Sequence, residues 1–367
     1  MTIALLRFPF LVQKVIFEEI DLLAVLSIAM LSKKSNATAR ACLRQHKYHL
    51  RYFENVSFQL VRKFSNEDGN TLVLALLDRS LVESPYQLWP IGYQEVPIES
   101  TSNESSGTIL TLTKVYCDNT SDFAMETLQY LSRLLPKLSL TLKLKTQNVE
   151  TFRRIMQSVR SVNELKEIDV GSFDNGSGPQ DELVKLILDE SHRAKNLFVY
   201  FQTSDNFVYP TSVPFSFDSV FMTTPGWISR DHFIRMFLSC KKVQLQWKDF
   251  DDEDLTAIFK AWTEGSSLEY LEFVGAGIFH QGKTLDNILE EFPGAVPVRI
   301  AEIPTGLSTG LHFVRFGEGK CYLIQRKNGQ TKALVCIYHY SVILTTNFQI
   351  GNEVDVLAAR IEEELHF

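Results

Sequence analysis

Residues 6–40, LRFPFLVQKVIFEEIDLLAVLSIAMLSKKSNATAR, carry apolar side chains at spacings of three and four, broken by an acidic step at residues 18–21. This spacing is typical of helices that bury one side, so the stretch predicts two or three very short helices. Such helices are marginal alone, because one or two turns bury too little surface to offset the entropy lost on ordering. We therefore expect the stretch to need a partner, within the chain or outside it.

Polar residues in this stretch predict where the helices begin and end. Pro9 suits the start of a helix, since its missing N–H would have no partner there. Asp21 is a typical N-cap for a second helix over residues 22–31. Residues 32–34, Ser-Lys-Lys, would then lie at the C-terminal end of that helix, where the helix dipole favours positive charge.

Four short motifs follow one another in the stretch: Phe8-Pro9-Phe10-Leu11, Val15-Ile16, Ile20-Asp21-Leu22, and Leu-Ser pairs within residues 26–34. Their order resembles that of an F-box, in particular the form that opens many nematode proteins. The tryptophan that many F-boxes carry near their C-terminal end is absent. The resemblance implies docking to a Skp-type adaptor, and through it to a cullin, by Pro9, Phe10, Val12, Ile16, Leu22, Leu23 and Leu26.

Other structures can produce the same periodicity. An ordinary helical hairpin packed on the following domain would show it too, because apolar helical stripes usually face a core. A signal peptide fits poorly, since Glu18, Glu19 and Asp21 interrupt the apolar run. A membrane span needs roughly 20 apolar residues, and the longest uncharged run of the stretch, residues 22–32, is shorter. We therefore expect no membrane partner.

Composition is typical of a globular chain. Its 367 residues, 45% hydrophobic and 11% aromatic, suffice for several domains with sizeable cores. The cysteines are odd in number, far apart and without the spacing of zinc ligands, so we expect reduced structural thiols, no metal site, and a cytoplasmic or nuclear location. They are Cys42, Cys117, Cys240, Cys321 and Cys336.

Positive charge is concentrated near the N-terminus, although the chain as a whole has a formal charge of −7. Residues 1–63 hold ten Lys or Arg against four Asp or Glu. This predicts an electropositive face that suits an acidic protein partner. Nucleic acid is not expected, because neither stacking aromatics nor a binding-module motif accompanies the charge. The basic cluster comprises Lys33, Lys34, Arg40, Arg44, Lys47 and Arg51, with His46 and His49.

Patterns of strands and helices extend along the rest of the chain. Residues 56–64 and 71–77 predict a hairpin, and the serine-rich residues 84–107 predict a linker or an exposed loop. Farther on, strands alternate with helices, which predicts parallel strands joined by right-handed crossovers. These strands are predicted at residues 138–144, 165–170, 196–202, 217–222, 242–247 and 268–274, and the helices at residues 149–159, 181–192, 230–239 and 252–262.

Two of the strand-helix units superpose with Leu245 and Leu271 a step of 26 residues apart. This step lies in the range of leucine-rich repeats, although the asparagine of that repeat is absent. We therefore predict an irregular, leucine-rich-repeat-like α/β solenoid. Beyond it, strands are predicted at residues 313–316, 321–326 and 333–338, with an Asn-Gly hairpin turn at residues 328–329 and an amphipathic helix over residues 353–366. Residues 324–329 resemble the end of the nematode F-box-associated domain, type 2.

The predicted fold class is a multi-domain α+β protein. It comprises an F-box over residues 1–50, a β-rich connector and linker over residues 51–130, the leucine-rich-repeat-like domain over residues 131–300, and C-terminal strands and a helix over residues 301–367. The sequence lacks the motifs of phosphate-binding loops, nucleophile elbows and zinc proteases, so we expect no enzyme and no cofactor. The acidic residues 249–254 predict the start of a helix rather than a calcium site.

These features predict a substrate-recognition subunit of a cullin-RING ubiquitin ligase, whose F-box binds the adaptor and whose repeat domain binds an unidentified protein target. The alternative is a non-catalytic interaction scaffold with a degenerate F-box, outside any ligase. In the scaffold, the helix face that carries Leu11, Ile16 and Leu23 would be buried against residues 44–80; in the receptor it would be open. The predicted target site lies opposite the core of the strands, at Gln244, Gln246, Lys248, Glu269 and Glu272.

Overall fold

The computed structural model describes residues 5–64, 67–82, 86–91, 94–105, 108–171, 178–210, 213–248, 250–275, 288–289, 292–299, 301–305, 312–316, 321–338 and 341–350. It is a mixed α/β structure with a helical stretch at its N-terminal end and sheets of mixed strand direction. The chain divides into two compact units, Met1–Gly171 and Ser172–Phe367. The helix predicted over residues 353–366 lies outside the described residues.

Three short helices open the first unit, in agreement with the pattern of residues 6–40. They are α1 (Phe10–Glu19), α2 (Leu22–Met30) and α3 (Lys33–Leu43), and a 3-10 turn at Leu5–Arg7 precedes them. Pro9 is the residue immediately before α1. A carboxylate oxygen of Asp21 accepts a hydrogen bond from the main-chain N–H of Ala24 at 2.9 Å, so the predicted N-cap of α2 is confirmed.

Residues 32–34 do not close α2, and that prediction was wrong. The hydroxyl of Ser32 accepts a hydrogen bond from the main-chain N–H of Ser35 at 3.0 Å, so Ser32 is the N-cap of α3. Lys33 and Lys34 therefore lie in the first turn of α3, at the positive end of its dipole, where cations are disfavoured. The sequence pattern hides this boundary because a single serine in extended conformation starts the new helix soon after α2 ends.

A mixed sheet with two further helices completes the first unit. Its elements are β1 (Lys47–Phe53), β2 (Ser57–Phe64), β3 (Glu67–Asp78), β4 (Gln87–Ile91), β5 (Gln94–Ser105), β6 (Thr108–Cys117), α4 (Thr120–Leu134), β7 (Leu138–Leu144), α5 (Val149–Ser158) and β8 (Glu164–Val170). The strand order is β8-β7-β1-β2-β3-β6-β5-β4. β2 and β3 form the predicted antiparallel hairpin, and β7 and β8 pair in parallel as predicted.

The serine-rich residues 84–107 are not a linker: much of this segment forms β4 and β5, which pair with each other, and β5 pairs with β6. The serines contribute cross-strand contacts, with the Ser100 hydroxyl 2.9 Å from that of Thr113 and the Ser102 hydroxyl 3.1 Å from that of Thr111. Such Ser/Thr pairs stabilise a sheet through their side chains. A polar composition therefore conceals a strand here.

The second unit continues the strand-helix alternation and then adds antiparallel strands. Its elements are α6 (Asp181–Glu190), β9 (Ala194–Val199), β10 (Ser219–Thr223), α7 (Arg230–Phe237), β11 (Lys242–Gln246), α8 (Asp252–Glu264), β12 (Tyr270–Val274), β13 (Val296–Val298), β14 (Ala301–Thr305), β15 (His312–Phe316), β16 (Cys321–Gln325), β17 (Lys332–Tyr338), β18 (Ser341–Thr345) and β19 (Gln349–Ile350). The larger sheet has the order β13-β16-β17-β18-β12-β11-β10-β9, and the smaller one β15-β14-β19.

Strands β9 to β12 run parallel to one another, which confirms the parallel direction predicted for these strands. The antiparallel β16 and β17 are joined by the predicted turn, in which Gly329 has a φ of 73°. The step of 26 residues was wrong as a structural equivalence, because Leu245 pairs with Phe273 and Leu271 pairs with Val243. β11 and β12 therefore match at a step longer than 26 residues, whereas β10 and β11 match at a shorter one, since Val220 pairs with Val243. The solenoid stays a prediction.

Candidate protein-docking surface

The outer face of α1 exposes a row of large apolar side chains. Leu11 is 73% exposed and Val15 is 56% exposed, one helical turn apart. Val12 flanks the row and Phe10 is the first residue of the helix, and both are exposed, whereas Phe17 on the face opposite Leu11 and Val15 is fully buried. A contiguous exposed apolar patch of this kind marks an interaction surface more often than an isolated exposed residue does. Leu11 and Val15 are not among the predicted adaptor contacts, although their spacing of four residues places them side by side on one helix face.

A cavity of about 650 Å³ lies on the flank of this face. Its apolar lining comes from Leu6 of the 3-10 turn, Ile16 of α1, and Ile28 and Leu31 near the end of α2. Two cations, Arg7 and Lys34, also line it. The cavity therefore combines apolar walls with positive charge, which suits an apolar side chain from an acidic partner.

The C-terminal end of α1 is held by a buried arginine from β2. Arg62 is fully buried and donates two hydrogen bonds to main-chain carbonyls, from Nη1 to Glu18 at 2.6 Å and from Nη2 to Phe17 at 3.3 Å. The last carbonyls of a helix have no partners within the helix, and the dipole favours a cation there. The Glu18 side chain accepts from His46, with 3.0 Å between oxygen and nitrogen, and this hydrogen bond is the main reason why the pKa of Glu18 is lowered.

Helices α2 and α3 are joined to the rest of the first unit by their own hydrogen bonds. The indole N–H of Trp89, on β4, donates to the Ser27 hydroxyl of α2 at 2.9 Å. The side-chain amide of Asn36, on α3, donates to the Tyr130 hydroxyl of α4 at 3.0 Å. Together with Arg62, these contacts attach each of the three helices to a different neighbouring element.

The predicted adaptor contacts divide into three groups. Pro9, Phe10 and Val12 are exposed, and Ile16 and Leu23 are half-buried. Leu22 and Leu26 are buried at 3% and 2% exposure, so the prediction that these two are open to an adaptor was wrong. The reason is that α2 is apolar on every side and packs against α3, β3 and β4.

The basic cluster is also only partly a surface feature. Its six lysines and arginines are exposed, but His49 is buried and its Nδ1 lies 3.0 Å from the Ser139 hydroxyl on β7. His46 is hydrogen-bonded to the carboxylate of Glu18. The two histidines therefore do not belong to the predicted electropositive face, because each serves a contact inside the first unit.

The predicted target site in the second unit is not a single exposed face. Gln244 and Gln246 are half-buried on β11, on the side opposite the buried Val243 and Leu245. Glu269 is exposed just before β12. Lys248 lies beyond the end of β11, with its ammonium 5.0 Å from the centre of the Phe250 ring and 3.4 Å from the carbonyl oxygen of Gly226.

Glu272 differs from the other members of this set because it is buried, with 8% of its surface exposed. Its carboxylate accepts hydrogen bonds from the Tyr270 hydroxyl at 2.8 Å and from the Ser341 hydroxyl at 3.0 Å. Burial raises its pKa, and these two hydrogen bonds partly offset that effect. The prediction that Glu272 is available to a target was wrong, because β18 lies beside β12 and brings Ser341 against it.

The cysteines and the acidic residues at the start of α8 occupy structural positions. The five cysteines are free and buried, and burial raises the pKa of Cys240 to about 12. Asp251 accepts from the main-chain N–H of Asp254 at 2.8 Å and is the N-cap of α8, as predicted for the acidic residues; residue 249 lies outside the described part. In the described residues, no group of three or more His, Cys, Asp or Glu side chains could hold a metal ion.

None of the helices in the described ranges combines the length and the apolar run that a membrane crossing requires. No family model matches the chain, and no curated protein matches it significantly. The resemblance to an F-box therefore depends on the residues of the helical stretch.

Proposed function

We propose that the chain is a non-catalytic, F-box-type substrate receptor, which docks to a Skp-type adaptor of a cullin-RING ubiquitin ligase through α1. The observation that carries the proposal is the exposed apolar row on α1 beside a cavity lined by Arg7 and Lys34. Burial of a few apolar anchors drives most protein–protein binding, and surrounding charge selects the partner. An acidic adaptor with an apolar groove is complementary to this surface.

In this proposal the second unit holds a protein target, and other subunits of the ligase carry out the chemistry. Its contribution is to keep the target close to the ubiquitin-charged enzyme, which raises the effective concentration of the reacting groups. The half-exposed Gln244 and Gln246, together with Lys248 and the exposed Glu269, remain our proposed target contacts, without Glu272. A leucine-rich-repeat-like arrangement of the strands and helices would give this unit an extended surface for the target.

A second candidate, an interaction scaffold with a degenerate F-box, is favoured by the burial of Leu22 and Leu26. These two residues were expected to touch the adaptor, and in the free chain they are covered by their own unit. The two candidates differ in whether the exposed row on α1 binds an adaptor, so one experiment on that row separates them.

The experiment is co-purification of the full chain with a Skp-type adaptor, comparing the wild type with the Leu11→Asp, Val15→Asp double variant. Both side chains are exposed, so we expect the variant to fold and to lose the adaptor. The matched control is Val208→Asp, an equally apolar residue of the second unit that is 66% exposed. Retained adaptor in a folded double variant, or no adaptor with the wild type, would favour the scaffold.

A further inference from the structure

Arg62 is the feature of the first unit that neither the sequence patterns nor the proposed docking accounts for. A fully buried guanidinium is uncommon, because removing its charge from water costs several kcal/mol unless partners replace the lost hydration. The described partners of Arg62 are the carbonyls of Phe17 and Glu18 in the last turn of α1. The positive charge is therefore matched to the negative end of a helix dipole.

The position of Arg62 in the sheet makes this contact a direct connection between two elements. Arg62 pairs with Tyr48 across β1 and β2, and Tyr48 is buried with its pKa raised to about 12, chiefly by burial. Both strands are central in the first unit, with β7 on one side of the pair and β3 on the other. The end of α1 is thus fixed to the interior of the sheet rather than to a loop or an edge.

The geometry fixes the orientation of α1 as well as its position. A guanidinium presents its N–H groups in a rigid fork, so bonds to two successive carbonyls define the direction of the helix axis more closely than a single ammonium can. Phe17 supplies one of those carbonyls and is itself fully buried on the inner face of α1. The exposed row of Leu11 and Val15 lies on the opposite face of the same short helix, so whatever sets the axis of α1 also sets the direction in which this row points.

We infer that Arg62 is a positioning residue, whose fork holds α1 in the orientation that adaptor docking requires. This inference rests on the proposed function. Without the fork, α1 samples further orientations, and apparent affinity falls in proportion to the fraction of chains that remain competent to bind. We expect the loss to reach about tenfold in affinity when that fraction falls to about one in ten.

Two measurements on the full chain test this: affinity for a purified Skp-type adaptor, and amide hydrogen exchange without adaptor. In Arg62→Met we expect about tenfold weaker binding and about tenfold faster exchange of the α1 amides, with exchange in β1 and β2 unchanged. Arg62→Lys keeps the charge but not the fork, so we expect intermediate values. Arg154→Met is the matched control, since Arg154 is an exposed arginine of α5, outside the basic cluster, that donates to Asp122 at 2.7 Å, and it should resemble the wild type.

The inference is overturned if folded Arg62→Met keeps wild-type exchange in α1 and wild-type affinity, or if β1 and β2 lose protection to the same extent as α1. If Arg62→Met does not fold, Arg62→Lys decides: faster exchange in α1 alone supports the fork, and wild-type values for exchange and affinity refute it. Failure of the wild-type chain to bind the adaptor would refute the proposed function instead. In that case the exchange measurement still decides whether Arg62 positions α1.

Discussion

At the scale of single residues, alternation along a strand tells which side a residue faces but not what covers that side. The side chain of Glu272 is on the face of β12 opposite to that of Leu271 and Phe273, as alternation along a strand requires. It is nevertheless buried, because β18 pairs with β12 and places Ser341 within hydrogen-bonding distance. The sequence gives no sign of that pairing, since the two strands are far apart in the chain. Contacts between distant segments are the part of a site that residue patterns do not reveal.

The buried carboxyl of Glu272 makes stability depend on pH. Because burial raises its folded pKa above the ordinary 4.5, the folded chain holds this proton more tightly than the unfolded chain. This favours folding at acid pH, and the advantage is lost as pH rises from about 4.5 through the folded pKa. Glu272→Gln lacks this titration. We therefore expect its free energy of unfolding minus that of the wild type, both measured by urea denaturation, to increase as pH rises through this window. A difference that does not change with pH would contradict this account of the carboxyl.

Asp21 offers a test of how the helical stretch is divided. Its carboxylate caps α2, so Asp21→Ala should reduce the free energy of unfolding by about 1 kcal/mol. Asp21→Asn keeps a side-chain oxygen that can accept from the same N–H, and it should stay close to the wild type. Chemical denaturation of the two variants side by side gives the comparison. Equal losses in both would mean that the negative charge, rather than the capping hydrogen bond, stabilises this helix.

At the scale of elements, regular periodicity located the strand-helix alternation from β7 to β12 and the short helices at the start. The pattern was misleading where the type of a side chain did not indicate which contacts it makes in the folded chain. The serines of β5 look like linker residues, but they hydrogen-bond to threonines of β6 across the sheet. In α2, apolar residues on all sides conceal which ones are buried. Only tertiary contacts with α3, β3 and β4 select the buried set.

Two leucines of the helical stretch should respond differently to truncation, because the helices have two distinct faces. Leu26 of α2 is buried, so Leu26→Ala should cost about 2–5 kcal/mol of unfolding free energy through lost burial and a residual cavity. Leu11 of α1 is exposed, and Leu11→Ala should change stability by less than about 0.5 kcal/mol. Chemical denaturation measures both. Similar losses would show that Leu11 is covered in solution.

At the scale of the whole molecule, the sequence supports the mixed α/β class, and the structure divides the chain into two units, Met1–Gly171 and Ser172–Phe367. The first unit contains the helical stretch together with the hairpin and the segment that resembled a linker. Arg62, Trp89 and Asn36 attach one helix each to that unit. These bonds span from 44 to 94 residues of sequence, so no local pattern could predict them. The candidate docking surface is therefore part of a larger unit rather than an appended segment.

The central claim is that the exposed row on α1 binds a Skp-type adaptor. Calorimetric titration of the folded full chain with purified adaptor, at several temperatures, tests it most directly. We predict saturable one-to-one binding with a negative heat-capacity change, because apolar surface leaves water, and loss of that binding in the Leu11→Asp, Val15→Asp variant. Absence of saturable binding by the folded wild type, or binding that the double variant retains, would contradict the claim.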